Sequence, residues 1–338
     1  PWSFKIVAAP LIDRYTILSM GRKRPWVIVG QLGLILSFLS IGLIPDPLNN
    51  LNSLMIAGFF ISFFGAFQDV ATDGMAIDVI PVDQQARANG LMWGSKTVGT
   101  ALSLVIGTAL INTLGFSTAI ASMSLSTVFI ILIPILFRER PGEKTMPWTE
   151  GKASLEARKA QSNSWKQIIV NLFNVTILKS SLLIGLAIFV IGIINGLLDT
   201  LLPIFTIQEL NWTNTTYSEV YSITTVIGGI FGMVFGGALV DFIGKVRMMS
   251  IYFVLLIVLF IVFAFFPTFW NIVKVVFGFI LLYYLIATFL NIAEFATAMH
   301  LCWKTIAATQ FTLFMASGNI GRSVGSWLVG VLKNTMNW

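Results

Sequence analysis

The chain has 338 residues, of which 56% are hydrophobic and 11% charged. Soluble domains carry roughly 25% charged residues, so a soluble enzyme is excluded and a polytopic membrane protein is indicated. The net charge of +6 does not point to nucleic acid, because the basic residues gather in alternate loops, as the positive-inside pattern requires.

The opening residues, PWSFKIVAAP, read as the tail of a span whose beginning is absent, and no initiator methionine or signal peptide precedes them. The chain is therefore expected to be an internal piece of a longer protein. Apolar runs of about 20 residues, enough to cross roughly 30 Å of hydrocarbon as helices, lie near 26–44, 54–80, 87–111, 116–137, 179–207, 216–240, 248–267, 270–298 and 307–332. Nine complete spans are expected. Arg14, Arg22, Lys23 and Arg24 fall in one loop, eight Lys and Arg lie between 138 and 179, Lys245 and Arg247 share another loop, and Lys304 lies in a fourth. The intervening loops 45–53, 112–116 and 208–215 contain none, which assigns the basic loops to the cytoplasm. The lone cysteine, Cys302, has no partner for an internal disulfide.

The long polar segment 138–164 separates four complete spans from five and reads as a cytoplasmic linker. At its far end Trp165, Ile168, Ile169, Leu172 and Phe173 recur at helical spacing opposite Lys166, Gln167, Asn171 and Asn174. That pattern predicts a helix lying flat at the interface. The expected organisation is an incomplete helical bundle at 1–137, a linker with its interfacial helix at 138–178 and a second incomplete bundle at 179–338. The two bundles read as copies. Asp13 corresponds to Asp241, Gly21 to Gly244, Asp69 to Glu294 and Gly99 to Gly321, at nearly constant offset. Parallel six-span repeats are a transporter architecture with the solute site at the midplane. Six plus six spans leaves the first, most of the second and the twelfth outside the chain.

The run GALVDFIGKVR, Gly237 to Arg247, follows the pattern GxLxDxxGKxR, and a looser copy lies at 9–24. It resembles the signature loop of the major facilitator superfamily. Glycines permit tight turns, and Asp13 and Asp241 are placed to accept hydrogen bonds at helix N-termini. On this reading Asp13, Arg14, Arg22, Asp78, Gly237, Asp241, Gly244, Lys245 and Arg247 gate the cytoplasmic side; their alternative role is to anchor topology. The segments at 1–15, 67–80 (FQDVATDGMAIDVI), 196–212 and 307–322 are similar to AmpG-type muropeptide permeases and the related acetyl-coenzyme A transporters. The resemblance implies an all-α major facilitator fold. It further implies proton-coupled import of anhydromuropeptides by the bacterial members and movement of an acyl-CoA by the eukaryotic relatives. One departure is that Gly74, Met75 and Ala76 follow Asp73 without an arginine.

Within FQDVATDGMAID, Asp69 and Asp73 are one helical turn apart on one face, whereas Asp78 points elsewhere. An aspartate at the bilayer centre costs roughly 3 kcal/mol, so it faces a wet cavity or a partner. Lys5, Lys96 and Arg87 are the candidate partners. Either Asp69 and Asp73 carry protons, since neighbouring carboxylates repel and one keeps its proton, or they form structural ion pairs with Lys5 or Lys96. Asp78 is expected to pair with Arg14 or Arg22. Asp199 and Glu294 are the second-half candidates for proton coupling, each alone on its helix. Lys5, Lys96 and Arg322 are intramembrane cations suited to a solute carrying carboxylate or phosphate, or else to neutralising a buried aspartate. Trp2 and Trp93 suit sugar stacking or an interfacial belt, and His300 a solvated position. The sequons at Asn211 and Asn214 lie in a non-cytoplasmic loop.

An intramembrane Mg-dependent prenyltransferase needs two clustered acidic sites, and NIAEFATAMH at 291–300 offers one carboxylate. A single histidine gives no Ser-His-Asp set. A receptor would not need several coupling carboxylates, and a channel would not need two packed halves. The expectation is a monomeric, multi-pass, proton-coupled symporter in a bacterial inner membrane, with no enzyme activity, no cofactor and no metal. Its partners are a small anionic solute, protons and the lipid bilayer, and no nucleic acid.

Overall fold

The computed structural model describes residues 5–44, 49–161 and 164–335; Trp2 lies outside the described residues. The first helices are α1 (Lys5–Arg14), α2 (Arg24–Gly42), α3 (Leu51–Val79), α4 (Gln85–Leu114), α5 (Phe116–Ser122) and α6 (Ser124–Leu136). The central segment holds the short α7 (Leu155–Ala160) and α8 (Trp165–Thr176). Then come α9 (Lys179–Ile204), α10 (Asn214–Phe231), α11 (Gly237–Ile243), α12 (Lys245–Phe265), α13 (Val273–Leu301) and α14 (Ala307–Thr335). Among the described residues there is no β-strand, so the architecture is all-α.

By length and composition, eight of the expected spans are helical stretches fit to cross a membrane. The ninth expected span is realised as α14, whose 29 residues are long enough at 1.5 Å per residue. It is more polar than the others because Thr309, Gln310 and Thr312 are buried near its start and Ser317, Asn319 and Arg322 follow. Three spans carry local irregularities. Met123 separates α5 from α6, α9 passes after Pro203 into a π-helical turn at Phe205–Glu209, and Gly232–Gly236 forms another between α10 and α11.

Contacts gather the chain into two units. The first comprises Pro1–Ile80, Ser103–Leu178 and Cys302–Leu313; the second comprises Pro81–Leu102, Lys179–Leu301 and Phe314–Trp338. In the first unit α2 lies close along α3, where a Cβ on Gly33 would meet the Phe64 ring at 2.2 Å. Small residues let helix backbones approach where lipid offers no hydrophobic drive. Ala8, Ala9 and Ile12 of α1 pack on Val70 and Ala71 of α3. In the second unit α13 is the most buried helix; Phe279 stacks on Phe263 of α12 at 3.8 Å between ring centres. Outward faces remain apolar, with Leu36, Val105 and Phe129 about two-thirds exposed or more, as a hydrocarbon surrounding requires.

The central segment, expected to be a cytoplasmic linker, is packed over part of its length. Glu139, Arg140, Glu143 and Ala157 are buried. Helix α8 turns Ile168 and Val175 onto Ile306 and leaves Ile169 and Phe173 exposed. Burial raises the Glu143 carboxyl above its ordinary range, opposed by the Ser154 hydroxyl, which donates to Oε1 at 2.8 Å. A carboxyl raised in the fold contributes stability that is complete below its unfolded pKa and is lost as pH rises through the folded one. Glu143→Gln is therefore expected to raise the thermal midpoint at pH 7 by about one to two degrees. The gain should shrink on acidification, as a pH series of unfolding scans will show.

Candidate functional site

The first charged cluster lies at the end of the first unit that contains the loop between α1 and α2. Asp13 and Lys23 form an ion pair in which both side chains are fully buried. The other oxygen of Asp13 accepts from the backbone N–H of Thr309 at 2.8 Å and from its hydroxyl at 2.7 Å, in the first turn of α14. Arg22 donates to Asp78 at 2.6 Å and to the Lys304 carbonyl at 2.9 Å. Of the two partners expected for Asp78, the structure thus selects Arg22. Arg14 instead lies over the Tyr15 ring, 5.3 Å from its centre.

Glu139 was not anticipated as part of this cluster. Its carboxylate accepts from the backbone N–H groups of Arg22, Lys23 and Arg24 at 3.1, 2.9 and 2.9 Å, and from the Arg140 guanidinium at 2.9 Å. These N–H groups open α2 and would otherwise be orphaned. Gly21, at φ +110°, makes the turn that presents them, and a Cβ there would sit 2.4 Å from a Glu139 oxygen. The available sequence signal is an acid set between Arg138 and Arg140, just where a span ends. Glu139→Ala is expected to cost about 2 kcal/mol through the lost cap and the loss of the near counter-charge of buried Arg140, which keeps the Asp78 carbonyl at 3.2 Å and the Glu156 carboxylate at 4.0 Å. Unfolding midpoints should show the loss, with Glu139→Gln retaining part of the stability.

The duplicated loop in the second unit has a related arrangement. Asp241 pairs with Arg87 at 3.1 Å near the start of α4, and Lys245 donates to the Val82 carbonyl at 3.0 Å. A Cβ on Gly237 would meet Arg87 Cα at 2.3 Å, so glycine is what permits this approach. Gly244 turns the chain at φ +104°, and Arg247 is exposed. Gln85 and Ala307, which open the helices met by the two duplicated aspartates, stand 222 positions apart, the offset of Gly99 from Gly321.

The proton and solute candidates separate into two places. In the first unit Lys5 forms an ion pair with Asp69, and Asp73 is half-buried one turn further along α3. In the second unit a cavity of about 110 Å³ has a mixed lining, with Lys96, Asn195, Asn291, Glu294, Asn319 and Arg322 set among Trp93, Ile188, Ile191, Phe295 and Met315. Glu294 is 3% exposed, and its Oε2 has no hydrogen-bond partner among the described residues. The Lys96 ammonium lies 5.1 Å from the Trp93 ring centre, a cation–π contact, and Trp93 packs on Phe295. Arg322 reaches Asp199 at 3.4 Å.

Glycines hold this geometry. Along the α9–α14 seam, a Cβ on Gly196 would lie 1.9 Å from the Arg322 carbonyl, and one on Gly192 would lie 2.3 Å from that of Gly318. The three asparagines carry no charge that singles them out in the sequence. Their signal is positional: Asn195, Asn291 and Asn319 each stand one turn before Asp199, Glu294 and Arg322 respectively.

The profile described as Major Facilitator Superfamily matches residues 2–326. The chain belongs to the major facilitator superfamily. Within it, the chain is 32% identical over 82 residues to the anhydromuropeptide permease of Escherichia coli K12, covering 24% of this chain and 16% of that one. It is 29% identical over 111 residues to the putative transporter AmpG 3 of Rickettsia prowazekii, covering 32% of this chain and 25% of the relative. These matches therefore span a quarter or less of the relatives' lengths. The putative transporter AmpG 3 of Rickettsia typhi is 23% identical over 346 aligned positions, covering 100% of this chain and 80% of the relative. The fold resembles that of the human organic anion transporter MFSD10 at a TM-score of 0.69 and 14% identity, covering 98% of this chain and 76% of that one. The major facilitator chain is an integral, multi-pass membrane protein.

Proposed function

We propose that this major facilitator protein is a secondary transporter that moves an organic anion together with protons by alternating access. The observation that carries the reading is the convergence of Lys96 and Arg322 with the buried Glu294 on one cavity of the second unit. Intramembrane charges are costly and mark solute or ion sites. The two cations meet the anionic group of the solute, and Asn195, Asn291 and Asn319 offer amide donors and acceptors beside it. A cavity of about 110 Å³ holds one such group and not a whole solute. Lys5, already held by Asp69, is assigned to positioning in this scheme.

Among anions, an anhydromuropeptide comes first, because the Escherichia coli relative bears that name. An acyl-CoA or another organic anion is the second reading, supported by the description of MFSD10 as an organic anion transporter. The buried Asp13–Lys23 and Arg22–Asp78 pairs are read as cytoplasmic gate contacts, with Asp241, Lys245 and Arg247 as their counterparts. The protein is further read as a monomer of two six-helix halves flanking 138–178, in a bacterial inner membrane with that segment cytoplasmic.

The test is uptake by the full-length protein in proteoliposomes. Labelled anhydromuropeptide and labelled acetyl-CoA are supplied with and without an inward proton gradient. Gradient-dependent accumulation of either supports the reading and selects the solute. Uptake indifferent to the gradient removes the proton, and no uptake of any organic anion by a folded preparation removes the transport reading.

A further inference from the structure

Glu294 and Arg322 line the same cavity, yet the salt bridge from Arg322 runs to Asp199. Glu294 is left 3% exposed with Oε2 unpartnered among the described residues. An ionised carboxylate is not stable in such a place without a compensating charge, whereas a protonated one is. The charged and titratable groups around the site come from several helices. They are Lys96 of α4, Asp199 of α9, Arg322 of α14, Tyr217 and Tyr221 of α10, and Tyr283 and Tyr284 of α13. Tyrosines stay neutral near pH 7, so two cations and two carboxyls set the charge.

We propose that Asp199, Arg322 and Glu294 form a proton switch in which one arginine serves two acids. Arg322 rests on Asp199 while Glu294 carries a proton, and it turns to Glu294 when that proton leaves to water. The balance is simple: the O–H bond of Glu294 breaks, one proton departs, and the guanidinium stays charged throughout.

The switch deepens the transport reading and rests on it for its purpose. With Glu294 protonated, Lys96 and Arg322 against Asp199 leave one net positive charge, which a docked monoanion cancels. Without that proton the same anion would leave the site with one net negative charge. Solute and proton therefore enter together, one proton for each negative charge added, which is the sense of symport.

Infrared spectra of the full-length protein in lipid at pH 7, with no solute present, test the switch. Wild type is expected to show a protonated-carboxyl C=O band that is lost in Glu294→Gln. Asp199→Asn frees Arg322 for Glu294, so this variant should lose the band with Glu294 intact. Asp199→Asn combined with Arg322→Gln should keep the band, because no guanidinium remains to take the proton's place; retention there also shows that the fold tolerates the change. A band that survives Glu294→Gln, or that persists in Asp199→Asn alone, overturns the proposal. Because no solute is used, failed uptake with these spectra as expected removes the transport reading and leaves the switch.

Discussion

Asp13→Ala is expected to destabilise the protein by about 3–5 kcal/mol, the cost of removing one partner from a buried ion pair. Its carboxylate does three things at once: it neutralises Lys23 and accepts two hydrogen bonds from Thr309 at the first turn of α14. Lys23 is fully buried, and without Asp13 its ammonium keeps the Ile12 carbonyl at 3.3 Å as a partner but loses its counter-charge. The helix opening at Ala307 also loses a carboxylate at its positive end. Denaturation in mixed micelles will measure the loss. Asp13→Asn should recover the Thr309 contacts alone, and Asp13→Ala with Lys23→Met should recover more, since the orphaned charge is then gone. A loss below about 1 kcal/mol would mean that the pair is dispensable.

The second large effect falls on activity. Arg322→Gln is expected to lower anion uptake by about 30-fold or more: the guanidinium is 54% exposed, a docked anion would desolvate it, and truncating one partner of a desolvated charge contact costs about 2–5 kcal/mol. Glutamine keeps donor atoms but loses both the charge and the bidentate fork. The same change leaves Asp199 without its cation. Arg322→Lys should restore part of the uptake, because the charge returns without the fork. Uptake within twofold of wild type for Arg322→Gln, at equal amounts of folded protein, would place the solute elsewhere.

Spans and duplicated loops were legible because they rest on composition and short spacing. Apolar runs of about 20 residues declare themselves in any window, and GALVDFIGKVR keeps its pattern within eleven positions. The ninth span illustrates the limit, since α14 is helical over 29 residues yet polar enough to fall outside the eight stretches marked by hydropathy. Pairings between distant segments were less legible. Asp69 had Lys5, Lys96 and Arg87 as candidates. The structure gives it Lys5, while Lys96 goes to the cavity and Arg87 to Asp241. Helical periodicity fixes which residues share a face, but not which face of another helix it meets. Glu139 shows this most clearly: its cap spans 117 positions to Arg22, and nothing local in the sequence links the two. The asparagines of the cavity were missed for a chemical reason, since neutral amides carry no charge to betray their cost in a membrane.

The central claim is that anion and proton move together, and the most direct test is proton flux driven by solute alone. Proteoliposomes holding the full-length protein and an internal pH dye are set at equal pH on both sides, and anhydromuropeptide is added outside. The account predicts internal acidification that follows solute entry and is absent in Glu294→Gln. Solute entry without any acidification in the wild-type vesicles would contradict it.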